Sequence, residues 1–447
     1  MDNSEFFSQF KRLLVYFFYL FVIPLVLGII FTGVWDHDLS VPLVYGMHDD
    51  VWQLLLSKGL LDNGWILENQ YLGAPSIANW SYHSAAQSSS IHSILMLALS
   101  FFFDDAVKVQ QIYYLLNFSI ITAVSFFVCQ ALKIDSLISY VVAVLFAFTT
   151  YRFNNLFFAF LANYYVIPIS LLVCVWCTSG VYLERKDGHG SYWSFLKQIL
   201  RRKKFLISVL LVLLIAIADG YYAFFCLLLL GVAAIVVIVK KSQISLFREL
   251  FPVVVFGALI IAINFLVMLP VQIYKNGHPH EFYPNGEVNP ALVRLPMEAE
   301  VYSTSIKQLV APIINHRIPV MAELGRYIMS TSDAARKFPV IRPPVSLGSL
   351  GTILLFLAFI LLVKKVSSSG DALALEESKQ RHVINCLLIF SLFILLTSMS
   401  GGLGTLILPT NDGHPAKRVS YATEVNHDRK GRKEESNPKA APSRIPA

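Results

Sequence analysis

Apolar residues along this chain come in long, nearly charge-free blocks separated by short polar stretches. Nine of them read as membrane helices: 13–34, 109–131, 136–152, 158–183, 205–218, 221–239, 251–270, 346–363 and 382–400. A helical crossing needs about 20 apolar residues, so the run 205–218 is short. It is followed at once by Asp219-Gly220 and a further apolar run, which predicts a helical hairpin with Asp219 as a turn residue. The first run is too long for the core of a signal peptide. No small-residue cleavage site follows it in Phe31-Thr32-Gly33-Val34-Trp35, so it reads as an uncleaved anchor.

Two segments between the runs carry their own pattern. Residues 50–61 have apolar side chains at 51, 52, 54, 55 and 56 and polar ones at 53, 57 and 58, which predicts an amphipathic helix. Gly73-Ala74-Pro75 marks a sharp turn after it. The apolar stretch 91–103 is too short to cross, and counting it would invert every later loop, so it is read as a helix in the interface.

Positive charges orient the runs. Lys11 and Arg12 precede the first, Lys133 follows the second, and Arg185, Lys186, Lys197, Arg201, Arg202, Lys203 and Lys204 fill the 184–204 loop. Lys240, Lys241, Arg248, Lys364 and Lys365 continue the series. Nine spans with the N-terminus in the cytoplasm put all of these inside. Two long segments, 35–108 and 271–345, then lie outside. Trp35, Trp52, Trp65 and Trp80 fall in the first of them, four of the six tryptophans, so that segment is expected to hug the headgroup level.

Composition agrees with this class. Hydrophobic residues make up 55% of the chain and charged residues 15%, with mean hydropathy +0.59. A soluble protein carries roughly a quarter charged residues, so the chain is read as an all-α, polytopic membrane protein. Cys174 and Cys177 form a CxxC, but at helical spacing within an apolar run and without a histidine nearby. They read as small buried hydrophobes, and no metal site is expected. Nucleotide-binding loops are absent, no cofactor is called for, and the basic 184–204 loop needs no nucleic acid to explain it. Asn79-Trp80-Ser81 fits a glycosylation acceptor, a match that a bacterial source would make meaningless.

Candidate chemistry sits in the two outer segments. Asp49 and Asp50 are adjacent carboxylates just past the first span, at the water-facing edge of the membrane, a place suited to chemistry on a lipid-borne substrate. They also suit a simpler role, because Asp at a helix N-terminus is favoured. The second segment holds Arg294, Glu300, His316 and Arg317. His316-Arg317 fits either a ligand site or a solvated pair on the headgroups.

Several motifs then carry a likeness. They are Asp50, Asn63-Gly64-Trp65, Glu68-Asn69 and Leu72-Gly73-Ala74-Pro75 in the first outer segment, and Ala218-Asp219-Gly220-Tyr221-Tyr222-Ala223-Phe224-Phe225 further on. Glu300-Val301-Tyr302, Pro312, Asn315-His316-Arg317-Ile318-Pro319 and Ser346-Leu347-Gly348 follow. From about residue 10 to 405 the chain resembles a family of bacterial polytopic membrane proteins described as sugar transferases. These in turn resemble the GT-C superfamily of lipid-phosphosugar-dependent glycosyltransferases. The resemblance implies a GT-C-like transmembrane domain over 1–407 in a bacterial inner (cytoplasmic) membrane. It implies a polyprenyl-phosphate-linked sugar donor and a glycan or lipid acceptor at the outer face. It also implies a carboxylate base, Asp50 rather than Asp49, and inversion at the anomeric carbon. A hydroxyl is a poor nucleophile, so a carboxylate within hydrogen-bond reach helps it attack. The leaving lipid phosphate is anionic, which suits Arg317, His316 and Arg294 as donors, and Glu300 fits either a partner that orients Arg317 or plain surface charge.

Two departures qualify the likeness. Relatives of this kind carry another acidic residue soon after the Gly-Ala-Pro turn, whereas Tyr82-His83-Ser84-Ala85-Ala86-Gln87 holds none. A single-base mechanism is therefore favoured over a metal-assisted or two-carboxylate one. The tail 408–447 is polar and basic, and a frameshifted or truncated reading frame explains it better than a designed domain. The rival functions are a transporter or flippase of lipid-linked sugars, which needs polar residues lining an intramembrane path, and a non-catalytic membrane protein that keeps the fold. For the former, Asn117 and Asn264 are the clearest candidates.

Overall fold

The computed structural model describes residues 3–43, 49–83, 88–155, 161–183, 191–240, 245–289, 309–314, 316–330, 346–348, 351–357, 360 and 375–398. The described chain is almost entirely helical, with one two-residue strand pair. Helix α1 (Asn3–Phe17) passes through a π turn, Phe18–Val22, into α2 (Ile23–Thr32). Pro24 lacks the N–H a continuous ladder would use there, and the π turn directly before it absorbs the mismatch.

Helix α3 (Asp49–Asn63), strands β1 (Glu68–Asn69) and β2 (Ala78–Asn79), and helix α4 (Ser90–Ser100) fill the first long loop. Helix α5 (Ala106–Ala131) begins where the Asp105 carboxylate accepts the Lys108 N–H at 2.8 Å, an N-cap. It packs against α2, the π turn, α3 and α4, and against α6 (Ser136–Ala147), which Asp135 caps in the same way. Short helix α7 (Thr150–Asn154) follows a break at Phe148-Thr149.

The second half of the bundle is α8 (Val166–Ser179), α9 (Tyr192–Ile199), α10 (Lys203–Ala218), α11 (Gly220–Val239) and α12 (Leu246–Gly277). Helix α13 (Pro279–Phe282) is one turn, and α14 (Pro319–Ser330) and α15 (Leu375–Ser398) complete the order. Helix α8 is the hub, buried among α10, α11, α12 and α15 and joined to the first half through α5. Its cysteines are free thiols in the core, as are Cys129, Cys226 and Cys386.

Six described helices or helix pairs are long and apolar enough to cross a membrane: Phe7–Thr32, Ala106–Ala131, Ser136–Phe153, Gly220–Val239, Leu246–Gly277 and Gln380–Ser398. The expected run 158–183 narrows to the 14 residues of α8, because 161–165 leave the helix to make polar contacts. The run 205–218 is the 16-residue α10 and remains short. The expected 346–363 is described only in part, with 351–357 helical, and the tail 408–447 lies outside the described residues. A helix over 50–61 and the hairpin at Asp219 are both present, but the expected amphipathic division is not: polar Gln53 and Ser57 are buried, while Val51, Trp52, Leu54 and Leu55 are half-buried.

The bundle has two distinct ends. At one, the Lys240 ammonium donates to the Thr178 carbonyl (3.3 Å), Lys204 lies over Trp176, and Arg248 lies over Phe195. At the other, the Gln111 amide donates to the Leu39 and Val41 carbonyls, the Tyr222 hydroxyl donates to the Leu161 carbonyl, and Ser89 bonds Asp219. Helix α12 reaches the loop-bearing end, where it meets the Trp80–His83 turn.

Candidate functional site

Helix α3 is bolted to the loop-bearing end by one stripe. Gln53, Leu56, Ser57 and Leu60 are buried, at the i, i+3, i+4, i+7 spacing of a single helical face. Leu56 and Leu60 join Met96 of α4 and Val109 and Tyr113 of α5 in one apolar cluster. The Ser57 hydroxyl donates to the Gln53 carbonyl (3.0 Å) and faces the Met96 sulfur. The helix starts at Asp49-Asp50, one turn before Gln53.

Beyond α3 the chain turns back on itself in a small hairpin. Glu68 pairs with Asn79 and Asn69 with Ala78. Gly73, in the loop, has φ +85°, and a Cβ there would stand 2.8 Å from the Ala78 nitrogen, so no other residue fits. Asn69 is buried, accepts the Tyr71 N–H, and brings its amide against Gly59 of α3. Asn63-Gly64, Glu68-Asn69 and Leu72-Gly73-Ala74-Pro75 are thus the parts that build the hairpin and tie it to α3.

Beneath this cap lies a knot of buried polar side chains. Arg152 of α7 is fully buried. Its Nη1 donates to the Ala162 carbonyl (2.6 Å) and to Asn163 Oδ1 (3.2 Å), and its Nη2 donates to the Tyr114 carbonyl. Its guanidinium lies 4.0 Å from the Phe118 ring centroid and 4.4 Å from that of Tyr114. These partners are neutral, and the only ion pair among the described residues is the exposed Lys58–Asp62. A buried cation demands hydrogen bonds in place of lost water, and carbonyl oxygens with aromatic faces supply them here. The His92 ring of α4 meets the Tyr113 hydroxyl at 2.5 Å through Nδ1 and sits against Tyr165. Tyr164 bonds Thr149 and the Phe146 carbonyl, fixing the break between α6 and α7.

The junction of α10 and α11 closes the knot. Asp219 is buried, accepts the Tyr221 N–H at 2.7 Å as the cap of α11, and accepts the Ser89 hydroxyl at 2.9 Å. The Gly220 N–H donates to the Ser88 hydroxyl, and a Cβ on Gly220 would press on that oxygen at 3.0 Å. Asp219 lies between the two helices and outside both. Burial raises its carboxyl pKa above the ordinary 3.8, against the hydrogen bonds from Ser89 and the Tyr221 and Tyr222 amides, which lower it. His92 lies in α4, too short to cross; burial pushes its pKa down to about 3, so the ring is neutral, with the Ala218 carbonyl pulling the other way.

The residues singled out from sequence divide among three places. Asp49 and Asp50 begin α3. His316 and Arg317 lie in the exposed or half-exposed turn before α14, where His316 Nδ1 accepts the Ile318 N–H at 3.0 Å. Among the described residues no hydrogen bond or ion pair joins them to α3 or to the Arg152 knot. Arg294 and Glu300 lie outside the described residues. Arg152, Asn163 and His92 emerge only from the structure, and Asp219 does more than turn the chain, since it also bonds Ser89. A signal existed for the first, since Arg152 is the one charge in an apolar stretch from Ser136 to Leu183. Asn117, singled out, sits at the knot, where it donates to the Tyr113 carbonyl, while Asn264 donates to the Ala216 and Ile260 carbonyls within the second half.

No family model matches the chain, and neither a curated protein nor a solved structure is detectably similar to it.

Proposed function

We propose that this protein is an inverting glycosyltransferase of an inner bacterial membrane, taking a sugar from a polyprenyl-phosphate carrier and passing it to an acceptor at the outer face. Asp50 is the general base, Asp49 assists it, and Arg317, His316, Arg294 and Glu300 form the donor-phosphate side. The observation that carries this reading is the placement of Asp49-Asp50 at the first turn of a helix clamped on the loop-bearing end of the bundle. The first turn of α3 belongs to the loop-bearing end, and the helix is held there by its buried stripe. The buried cation Arg152, whose described partners are all neutral, suits a phosphate-bearing ligand at that end.

The chain crosses nine times in this reading, with the basic end in the cytoplasm. Support comes from the alternation of ends: α2, α5, α6, α8, α10, α11 and α12 each carry the chain from one end to the other. Cysteines introduced at exposed Gln70 and exposed Gln198 test it. The first is expected to label in intact cells and the second only after permeabilisation; the reverse pattern overturns the orientation.

A transporter of lipid-linked sugars is the second reading, favoured by the buried Arg152, Asn163 and Asn117. Against it, both terminal nitrogens of Arg152 are already committed to protein oxygens. Purified protein in lipid, assayed with polyprenyl-phosphate sugars and with Asp50→Asn as control, separates the two. Transfer that disappears in the variant supports the transferase; movement of donor across the bilayer without any transfer supports the transporter.

A further inference from the structure

The basic end carries a surface that the transferase reading does not use. Helix α9 is seated on the bundle by Phe195 and Ile199, both 1% exposed. The Phe195 ring meets Phe251 at 5.5 Å, and Tyr192 meets Phe247 at 5.6 Å. The opposite face presents Trp193 (76% exposed), Lys197 and Leu200 (54% exposed), at i, i+4 and i+7. Arg201, Arg202, Lys203 and Lys204 follow directly, and no acidic residue occurs from Ser191 to Phe205. The nearest described carboxylate on a packed element, Glu249 of α12, is buried. Lys197, Arg201 and Lys203 are exposed or half-exposed and make no ion pair among the described residues.

We infer that α9 and the start of α10 form a binding site for anionic phospholipid headgroups in the leaflet at the basic end. A tryptophan and a leucine on the same face as a lysine, followed by four cations, match the chemistry of an interface in which ring and methyl groups enter the acyl boundary while cations meet phosphates. A soluble polyanion would satisfy the charges yet leave Trp193 and Leu200 in water. The face also adjoins α10, which starts at Lys203 and runs into the bundle, so the site lies where a bilayer surface must be.

The test uses the full chain reconstituted in phosphatidylcholine vesicles containing a minority of phosphatidylglycerol, with one or the other lipid brominated. The Trp193 signal is the difference in emission between the wild type and Trp193→Phe. Brominated phosphatidylglycerol is expected to quench that signal at least about twofold more than an equal fraction of brominated phosphatidylcholine, each cation near the surface adding to the preference. High salt, or the triple change Lys197→Gln, Arg201→Gln, Lys203→Gln, should remove the preference and leave quenching by phosphatidylcholine in place. Equal quenching by both lipids in the wild type overturns the inference, as does a Trp193 signal that neither lipid quenches. A preference that survives the triple change assigns the headgroup contact elsewhere and overturns it too. These readouts are independent of any transfer activity.

Discussion

Cations at the two ends of the bundle are held in opposite ways. At the basic end Lys204 and Arg248 lie over aromatic rings near water, and Lys197, Arg201 and Lys203 reach outward. At the loop-bearing end one guanidinium, that of Arg152, is sealed inside and gripped by three protein oxygens and two rings. A solvated cation has little structural worth and is free to meet a ligand; a buried one is structural first and acts on ligands only through its field. The difference separates residues that hold the fold from residues available for chemistry.

The largest expected effect falls on chemistry without touching the fold. Asp50→Asn should lower transfer by about 10²–10⁴, the usual worth of a general base, with Asp49→Asn milder and the melting temperature unchanged. Full turnover in Asp50→Asn removes the base assignment. Next comes the sealed cation. Arg152→Ala orphans the Tyr114 and Ala162 carbonyls and Asn163 Oδ1 and should destabilise by about 2–4 kcal/mol, read as a lower melting temperature in detergent. Arg152→Lys, lacking the planar fork, should fall between. A wild-type melting temperature for Arg152→Ala would erase the contrast between the ends. Arg317 belongs with the solvated class, so Arg317→Ala should raise the Michaelis constant for the lipid donor or lower turnover by about tenfold with no loss of stability, the worth of one charge-assisted contact. If Arg317→Ala behaves as wild type in both, the second outer segment is structural.

Asp219 sharpens the comparison from the acidic side. Its pKa is raised in the folded protein, so the folded state holds the proton more tightly than the unfolded chain. That contribution is complete below about pH 3.8 and fades as pH rises through the raised pKa. Asp219→Asn imitates the protonated form. It should melt at or above the wild type at neutral pH, with the gap closing toward acid pH. Asp219→Ala, which loses the cap of α11 and the Ser89 bond, should cost about 1 kcal/mol at any pH. Smallest of all, Arg201→Gln and Lys203→Gln should change stability by less than about 0.5 kcal/mol.

Much of the helical layout was legible because its signal is local. Uninterrupted apolar runs with charged flanks set α2, α5, α11 and α12; the pattern at 51–58 gave α3 as a helix but not its buried face, which includes polar Gln53 and Ser57. The break of α6 at Phe148-Thr149 was not legible, because it depends on Tyr164 reaching back to Thr149 and Phe146 from a separate segment. The run 158–183 misled for the same reason: Ala162, Asn163 and Tyr164 are apolar enough to extend a helix, yet their polar groups serve Arg152 and Thr149 instead. Asp219 announced a turn, but its bond to Ser89 spans 130 residues and leaves no trace in local pattern. Asp49 and Asp50 were found by their position just past a span.

Helix α12 has 32 residues and is about 48 Å long, whereas a bilayer's hydrocarbon core is about 30 Å thick. Its apolar centre, 251–270, accounts for the core, and the turns from Val271 to Gly277 stand beyond it, ending in Tyr274 stacked on His278. Those last turns reach the Trp80–His83 turn and so meet the segment that follows the α3 hairpin. The helix therefore works as a gauge. A thicker membrane must either tilt it or draw Val271 and its neighbours into the acyl layer, and both lower the first outer segment toward the lipid. The height of the loop-bearing end relative to the lipid thus depends on acyl-chain length as well as on the protein.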